Sequence, residues 1–336
     1  MSVRLPLNWI VIAVTACLAG CNPPAEQPSP SQATATPTGD LLHIAVIPKG
    51  ETHIFWQSVR AGAEDAANEV GARITFKGPS KESDRSEQID VFQGFLNAQV
   101  DGICLSPLDA DALVRPVEEA KRAGVPVVVF DSGLNANPDD YVAFVATDNF
   151  RGGQIAADAM ADSLGESGGK VICLRYQKGS DSTHQREEGF LDGIAKYPNI
   201  EVISSDQYSG TTTESAVNKA QALFNRFGDE VNGVFTACEP NAEGMLRAIR
   251  DRGLAGKVKL VAFDSSDSLR DAMDAGHVSA IVLQDPVRIG YLSVKTIVAA
   301  IRGESVEKTV DTGIFVATQK NQDEPEIARL LNPPQS

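Results

Sequence analysis

The chain is poor in the residues that most often carry chemistry. It has 4 histidines in 336 residues, none paired at the i, i+4 spacing of a helical metal site, which argues against a zinc hydrolase. It has 5 cysteines. Set apart from Cys17 and Cys21, the remaining Cys104, Cys173 and Cys238 are odd in number and lack metal-ligand spacing, so neither a disulfide framework nor a zinc site is supported. Aromatic residues make up only 6%. Basic side chains are outnumbered 45 to 30 by acidic ones, a balance that opposes nucleic acid and anionic membrane surfaces as partners. No phosphate loop, Gly-x-Ser-x-Gly elbow or dinucleotide fingerprint occurs in strand-turn-helix context. Beyond residue 20, no apolar run approaches the roughly twenty residues that span a bilayer.

The N-terminus is where the sequence first says something positive. Arg4 precedes an apolar stretch from Trp9 to Leu18, closed by Leu18-Ala19-Gly20-Cys21. That length suits a signal h-region and is too short for a spanning helix. The closing tetrapeptide resembles a bacterial lipobox, in which small residues admit a signal peptidase and the cysteine thiol receives a diacylglyceryl group. Residues 1–20 are therefore expected to be a lipoprotein signal peptide and Cys21 the lipidated first residue of the mature chain. Loss of Arg4 would move the formal charge from -15 to -16. Residues 21–40 are rich in Pro, Ser, Thr, Ala and Gln without apolar periodicity and read as a flexible tether. The expected location is the cell envelope, as a periplasmic lipoprotein held to a membrane through Cys21.

From residue 41 onward, short apolar runs alternate with longer amphipathic ones. Strands are expected at 42–48, 73–76, 102–105, 125–130 and 141–146, and in a second set at 170–174, 201–204, 233–236, 258–263 and 278–283. Helical patterns lie between them, among them 55–70 and 215–227, with Gly71, Gly124 and Gly253 as stops. Strands separated by single helices imply right-handed crossovers and a parallel sheet covered on both faces. Two such sets imply an α/β protein of two similar lobes. Cys104 and Cys173 fall in strand patterns, where a thiol acts as a small buried hydrophobe.

Several stretches carry a wider likeness. They are Phe55-Trp56-Gln57-Ser58-Val59 with Gly62-Ala63, Leu105-Ser106-Pro107-Leu108-Asp109, Val129-Phe130-Asp131, and Ala146-Thr147-Asp148-Asn149 with Gly152-Gly153. Arg186-Glu187-Glu188-Gly189-Phe190, Val261-Ala262-Phe263-Asp264, and Gln284-Asp285-Pro286 with Ile289-Gly290 complete the set. In this order and spacing, the chain from about 42 to 318 resembles the type I periplasmic sugar-binding proteins, in particular their ribose-binding branch. The resemblance implies two Rossmann-like, doubly wound lobes joined by a three-strand hinge, with ligand in the cleft between them. Carried over, residues 41–147 plus 285–313 would form the N-terminal lobe and residues 148–284 plus 314–336 the C-terminal lobe, with hinges near Thr147, Gln284 and Gly313.

Open parallel sheets place ligands beyond the carboxyl ends of their strands, which singles out Lys49, Asp131, Cys238, Asp264 and Gln284. A sugar needs hydroxyl partners of fixed geometry and a flat apolar wall. By pattern alone Phe55 and Trp56 read as core; the resemblance makes them the aromatic pair that sandwiches a sugar ring. It likewise makes Asp131 and Asp264 hydroxyl acceptors and Gln284 the amide beside the hinge, where pattern alone offers turn or cap residues. Asp148-Asn149 instead reads as the cap of the next helix. The departures are informative. Ser132 and His184 stand where ribose receptors place arginines, and His53 and Cys238 stand at their cleft asparagines. Losing two rigid guanidinium forks changes which hydroxyls are read, so ribose itself is disfavoured. Lys49, with Gly78-Pro79 after the second strand, is similar to autoinducer-2 receptors. Glu239 adds an acceptor and Tyr208 a third apolar wall; as unaided patterns, Lys49 and Tyr208 read equally as solvated surface.

The expected function is the substrate-binding component of an ABC importer. It would be monomeric, without cofactor or metal, take a monosaccharide or sugar-like polyol, and deliver it to separate permease and ATPase subunits. Presentation of the ligand to a sensor, as an autoinducer-2-like receptor, is the alternative. An enzyme is a third reading and would need Asp131, His184 and Cys238 brought together. Sugar-responsive repressors resemble this two-lobe pattern too, but carry a basic helix-turn-helix where this chain has the lipobox and tether.

Overall fold

The computed structural model describes residues 41–334; the lipobox, Cys21 and the tether lie outside them. The first six elements alternate strictly: β1 (His43–Ile47), α1 (Ile54–Val70), β2 (Arg73–Phe76), α2 (Arg85–Asn97), β3 (Gly102–Leu105) and α3 (Val114–Arg122). They are followed by β4 (Val127–Phe130), β5 (Ala143–Ala146), α4 (Asn149–Leu164), β6 (Gly169–Leu174), α5 (Asp181–Ile194), β7 (Ile200–Ser204), α6 (Thr213–Phe227) and β8 (Val231–Thr236). The remainder is α7 (Glu239–Asp251), β9 (Lys259–Phe263), α8 (Asp267–Asp274), β10 (Ala280–Leu283), α9 (Pro286–Ile301), β11 (Thr309–Asp311), β12 (Phe315–Ala317) and α10 (Pro325–Leu331).

The strands form two sheets of the same order, β2-β1-β3-β4-β5-β11 and β7-β6-β8-β9-β10-β12. All pairings are parallel except β10 with β12. The first sheet reads as a run of apolar residues because both its faces are buried. Ile44, Val46, Cys104, Val128 and Phe130 face α1 and α9, while their neighbours Ala45, Ile47, Ile103, Leu105, Val127 and Val129 face the side holding Phe92 of α2 and Val117 of α3. The second sheet repeats this scheme, with Val171, Cys173, Val261 and Phe263 toward α4 and α5 and Ile172, Leu174, Leu260 and Ala262 toward α6, α7 and α8.

The chain passes from one sheet to the other at 147–148, 284–285 and 312–314. These segments are tied side by side: Thr312 donates its backbone N–H to Ala146 O at 3.1 Å, and the Thr147 and Thr312 hydroxyls lie 3.2 Å apart. Asp148 caps α4 by accepting the Arg151 N–H at 2.9 Å. Asp285 caps α9 in the same way, accepting the Arg288 N–H at 3.0 Å. Because β5 feeds α4 into the second lobe and β10 feeds α9 back into the first, each lobe is completed by a helix arriving from the other sheet. Among the described residues, no helix is long and apolar enough to cross a membrane.

Candidate functional site

In both sheets the strand order reverses beside the first strand of the set, β1 and β6. Ligands of doubly wound sheets sit at such switch points, outside the carboxyl strand ends. The two crevices face each other across one pocket, lined by Lys49, His53, Phe55, Trp56, Glu82, Asp131, Tyr176, Ser182, Thr183, Arg186, Cys238, Glu239, Pro240, Asp264 and Gln284.

The site has an internal symmetry. Val129-Phe130-Asp131-Ser132 ends β4 and Ala262-Phe263-Asp264-Ser265 ends β9, and both aspartates are left-handed, with φ of 60° and 68°. Asp and Asn tolerate that region better than most residues. It turns each backbone N–H back onto the neighbouring strand, Asp131 N to Val145 O at 3.0 Å and Asp264 N to Val282 O at 2.9 Å, and leaves the carboxylates at the pocket.

Each carboxylate has a buried cation. Lys49, 4% exposed, lies 3.1 Å from Asp131, 3% exposed. Its Nζ also donates to Ser182 Oγ at 2.8 Å and Ser180 Oγ at 3.3 Å, both from the other lobe. Ser106 Oγ donates to the same Asp131 oxygen, Oδ2, at 2.9 Å. Arg186 lies 3.5 Å from Asp264, donates to Asn149 Oδ1 at 2.8 Å and Ala237 O at 3.0 Å, and stacks on Phe263, 4.0 Å from the ring centre. Burial raises the Asp264 pKa, against the opposing pull of Arg186 and of the Gln284 amide, which donates to it at 2.7 Å.

Glu82 closes the pocket from the first lobe. It accepts from Trp56 Nε1, from His53 Nδ1 at 2.8 Å and, across the lobes, from the Tyr176 hydroxyl at 2.9 Å. Burial opposes its ionisation, but His53 and these donors outweigh it and hold the pKa below the usual carboxylate value. Burial likewise opposes the His53 imidazolium, yet Glu82 and the more distant carboxylates raise its pKa. Glu239, the first residue of α7, is pushed up to about 7 by burial and by the charges of Asp264, Glu243 and Glu82. Its Oε2 and the Oε1 of Gln284 are buried without a hydrogen-bond partner. Two orphaned acceptors in one pocket call for a ligand rich in donors.

Of the sequence candidates, Lys49, His53, Phe55, Trp56, Asp131, Cys238, Glu239, Asp264 and Gln284 therefore meet at this pocket. Three do not. Ser132 is fully buried and spends its hydroxyl accepting the Ser182 N–H at 3.1 Å. His184 has a side chain 58% exposed beside Glu188. It shares with Tyr208 a separate surface depression, and Tyr208 stacks there with Lys178. The expected loss of guanidinium chemistry is corrected in part, because Arg186, two residues beyond His184, supplies a buried fork. An Asp131-His184-Cys238 set is not assembled, and burial with the Asp264 charge raises the Cys238 thiol well above its ordinary value.

Glu82, Tyr176, Ser182, Thr183, Arg186 and Pro240 were not anticipated. Tyr176 was within reach of the strand-end rule, standing two residues past β6; Glu82 sits in a loop where nothing local distinguishes it from Glu87.

Residues 44–305 match the periplasmic binding protein domain. The chain belongs to that family. The D-allose-binding periplasmic protein of Escherichia coli (strain K12) is 28% identical over 267 residues, 78% of this chain and 85% of that one. Among solved structures, a carbohydrate transporter solute binding protein from Agrobacterium radiobacter in complex with D-arabinose superimposes with a TM-score of 0.83 at 34% identity, covering 87% of this chain and 99% of its own. An ABC transporter solute binding protein from Agrobacterium vitis with bound D-fucose gives 0.82 at 37%, covering 86% and 99%. Family membership accounts for the paired sheets and the cleft between them, and makes the chain a binding protein of periplasmic type.

Proposed function

We propose that this protein is the substrate-binding component of an ABC importer, taking a monosaccharide or sugar-like polyol between its lobes and delivering it to a separate permease and ATPase. The observation that carries the reading is the pocket itself. Mirrored strand-end carboxylates from both lobes, the Phe55 ring and two unpartnered acceptors line one pocket between the strand ends. Carboxylates and an amide accept hydroxyl protons while aromatic faces cover C–H surface. A ligand that bridges Asp131 and Asp264 interacts better with approached lobes than with parted ones and so favours closure. Relatives that bind D-arabinose, D-fucose and D-allose support the sugar class. The lipobox supports attachment to an envelope membrane through Cys21, which would keep the receptor near its permease at a raised effective concentration.

The chain has 2 tryptophans, Trp9 in the leader-like segment and Trp56 in the pocket. In the processed protein, fluorescence would report the pocket alone. Titration with pentoses, hexoses and polyols should give a saturable change with a matching rise in melting temperature; silence across the panel in both readouts would refute the sugar assignment.

A further inference from the structure

The charges of the pocket do not balance. Four carboxyl groups line it: Glu82, Asp131, Glu239 and Asp264. Three have a cation within 4 Å, since His53 holds Glu82, Lys49 holds Asp131 and Arg186 reaches Asp264. Glu239 forms none of the ion pairs among the described residues, and its Oε2 is buried without a hydrogen bond. No three metal-binding side chains among the described residues are placed to hold an ion, so the surplus carboxyl is not accounted for by a cation site of the protein's own.

A neutral hydroxyl would satisfy the lone pair of Glu239 but leave its charge uncompensated unless the carboxyl kept its proton. An ammonium would satisfy both, and buried charges are found paired for that reason. The position is otherwise hospitable to an anion, because Glu239 opens α7, whose free N–H groups favour negative charge. Its own backbone N–H helps to lower the pKa of Asp264. We infer that the ligand of this pocket carries a basic nitrogen, as an amino sugar or amino polyol does, and that Glu239 receives its ammonium while Gln284 Oε1 accepts a further ligand donor. The inference rests on the reading of the pocket as a sugar site and narrows its substrate class.

The groups facing Glu239 agree. Burial raises its pKa most; Asp264 after β9, Glu243 one turn along α7 and Glu82 from the β2–α2 loop raise it further, and only His53 before α1 lowers it. With its pKa at about 7, an arriving ammonium should complete its ionisation and expel about half a proton at neutral pH.

Calorimetric titration with matched pairs, 2-amino-2-deoxyhexoses and 1-amino-1-deoxyalditols against their hydroxyl parents, tests this. For at least one pair the amino member should bind about tenfold tighter or more, as expected for a hydrogen bond to a charged group. In Glu239→Gln, checked for folding by its melting curve, the ratio within that pair should collapse toward one. Repeating the wild-type titration in buffers of different ionisation enthalpy should reveal the released proton. If the hydroxyl parents bind as well or better throughout, or if the ratio survives in Glu239→Gln, the inference falls while the sugar reading stands. If no member of any pair binds, the inference falls, and the sugar reading is decided separately by the panel of pentoses, hexoses and polyols.

Discussion

At the scale of single residues, the site is held by pairs whose members do not survive alone. Asp131 and Lys49 are both buried and 3.1 Å apart, so Asp131→Asn leaves a buried ammonium with neutral partners only. Removing one partner of such a pair costs about 3 kcal/mol or more. Asparagine tolerates the 60° φ of this position, so the change isolates charge from backbone strain, whereas Asp131→Ala adds roughly 1 kcal/mol for the left-handed conformation. Urea unfolding should show both losses in that order, and ligand binding should disappear with the carboxylate. Native affinity in Asp131→Asn would make the pair purely structural. Protons act on the same network. Burial raises the Glu187 and Glu239 carboxyls to about 7 from an ordinary 4.5. The folded chain then holds protons that the unfolded chain has released between those values, and stability falls as pH rises across the window. The raised His53 contributes in the same direction: its share is complete below its ordinary value of 6.5 and is lost as pH passes the folded value. Glu82, with a lowered pKa, acts oppositely but only below 4.5. The ligand-free protein should therefore melt higher near pH 5 than near pH 8, and a flat profile between them would show these groups to be hydrated. The strand-end rule found Lys49, Asp131, Cys238, Asp264 and Gln284 because a fold property, the end of an apolar run, is written locally. Glu82 and Arg186 escaped it because their place depends on a loop and a helix face brought in by tertiary packing, and His184 was misplaced by two residues of helix, which is more than half a turn.

At the scale of elements, the two lobes depend on helices that nearly touch. Gly62 of α1 faces α9 so closely that a Cβ there would lie 1.9 Å from Val287 O, and one on Gly290 would lie 1.9 Å from Val59 O. In the other lobe Gly153 of α4 and Gly189 of α5 repeat the arrangement against Arg186 O and Phe150 O, each at 2.0 Å. These contacts set the distance of α9 and α4 from the strands they cover and hence the position of the 284–285 and 147–148 crossings at their N-termini. Gly62→Ala must push two backbones apart and should cost about 2–3 kcal/mol, in line with overpacked cores. Gly71→Ala, where φ is 67° and no atom lies within 4 Å of the added carbon, should cost only about 1 kcal/mol for its conformation. Equal losses in denaturant melts would show that helix contact is not what Gly62 protects. The ten expected strands all occur, with ends trimmed by one or two residues where the apolar run outlasts the pairing, as at Val125 and Tyr141, and starts extended by one or two residues in β6, β7 and β8. β11 and β12 are three residues each, too short for an alternation to show, and exist because the hinge crossing carries them to a waiting sheet edge.

At the scale of the whole molecule, the lobes are joined directly by hydrogen bonds of the protein's own. Besides Tyr176 to Glu82 and Lys49 to Ser182, Gly133 donates its N–H to Asp181 Oδ2 at 3.1 Å, Arg85 donates to Lys178 O at 2.9 Å, and Ala110 N donates to Gly179 O at 2.9 Å. Closure by hinge motion around a ligand is general for periplasmic binding proteins. For such a protein the apparent affinity is the intrinsic one scaled by the fraction of molecules ready to bind. Asp181 tests whether the cross-lobe bonds set that fraction, since its carboxylate reaches across the lobes yet does not line the pocket. Asp181→Ala removes one partly hydrated hydrogen bond from the closed state, worth about 1 kcal/mol, and should weaken binding about threefold where open and closed forms are evenly populated. The loss should appear in the same proportion for every ligand, because no ligand contact has changed, whereas Asp131→Asn should abolish binding outright. Small-angle scattering of the ligand-free variant should show a larger radius of gyration than the wild type, with the ligand-saturated forms coinciding. If affinity falls without that expansion, Asp181 acts on the site by another route; if neither changes, the cross-lobe bonds merely replace the water they exclude, and the energy of closure comes from the ligand bridging the two mirrored aspartates.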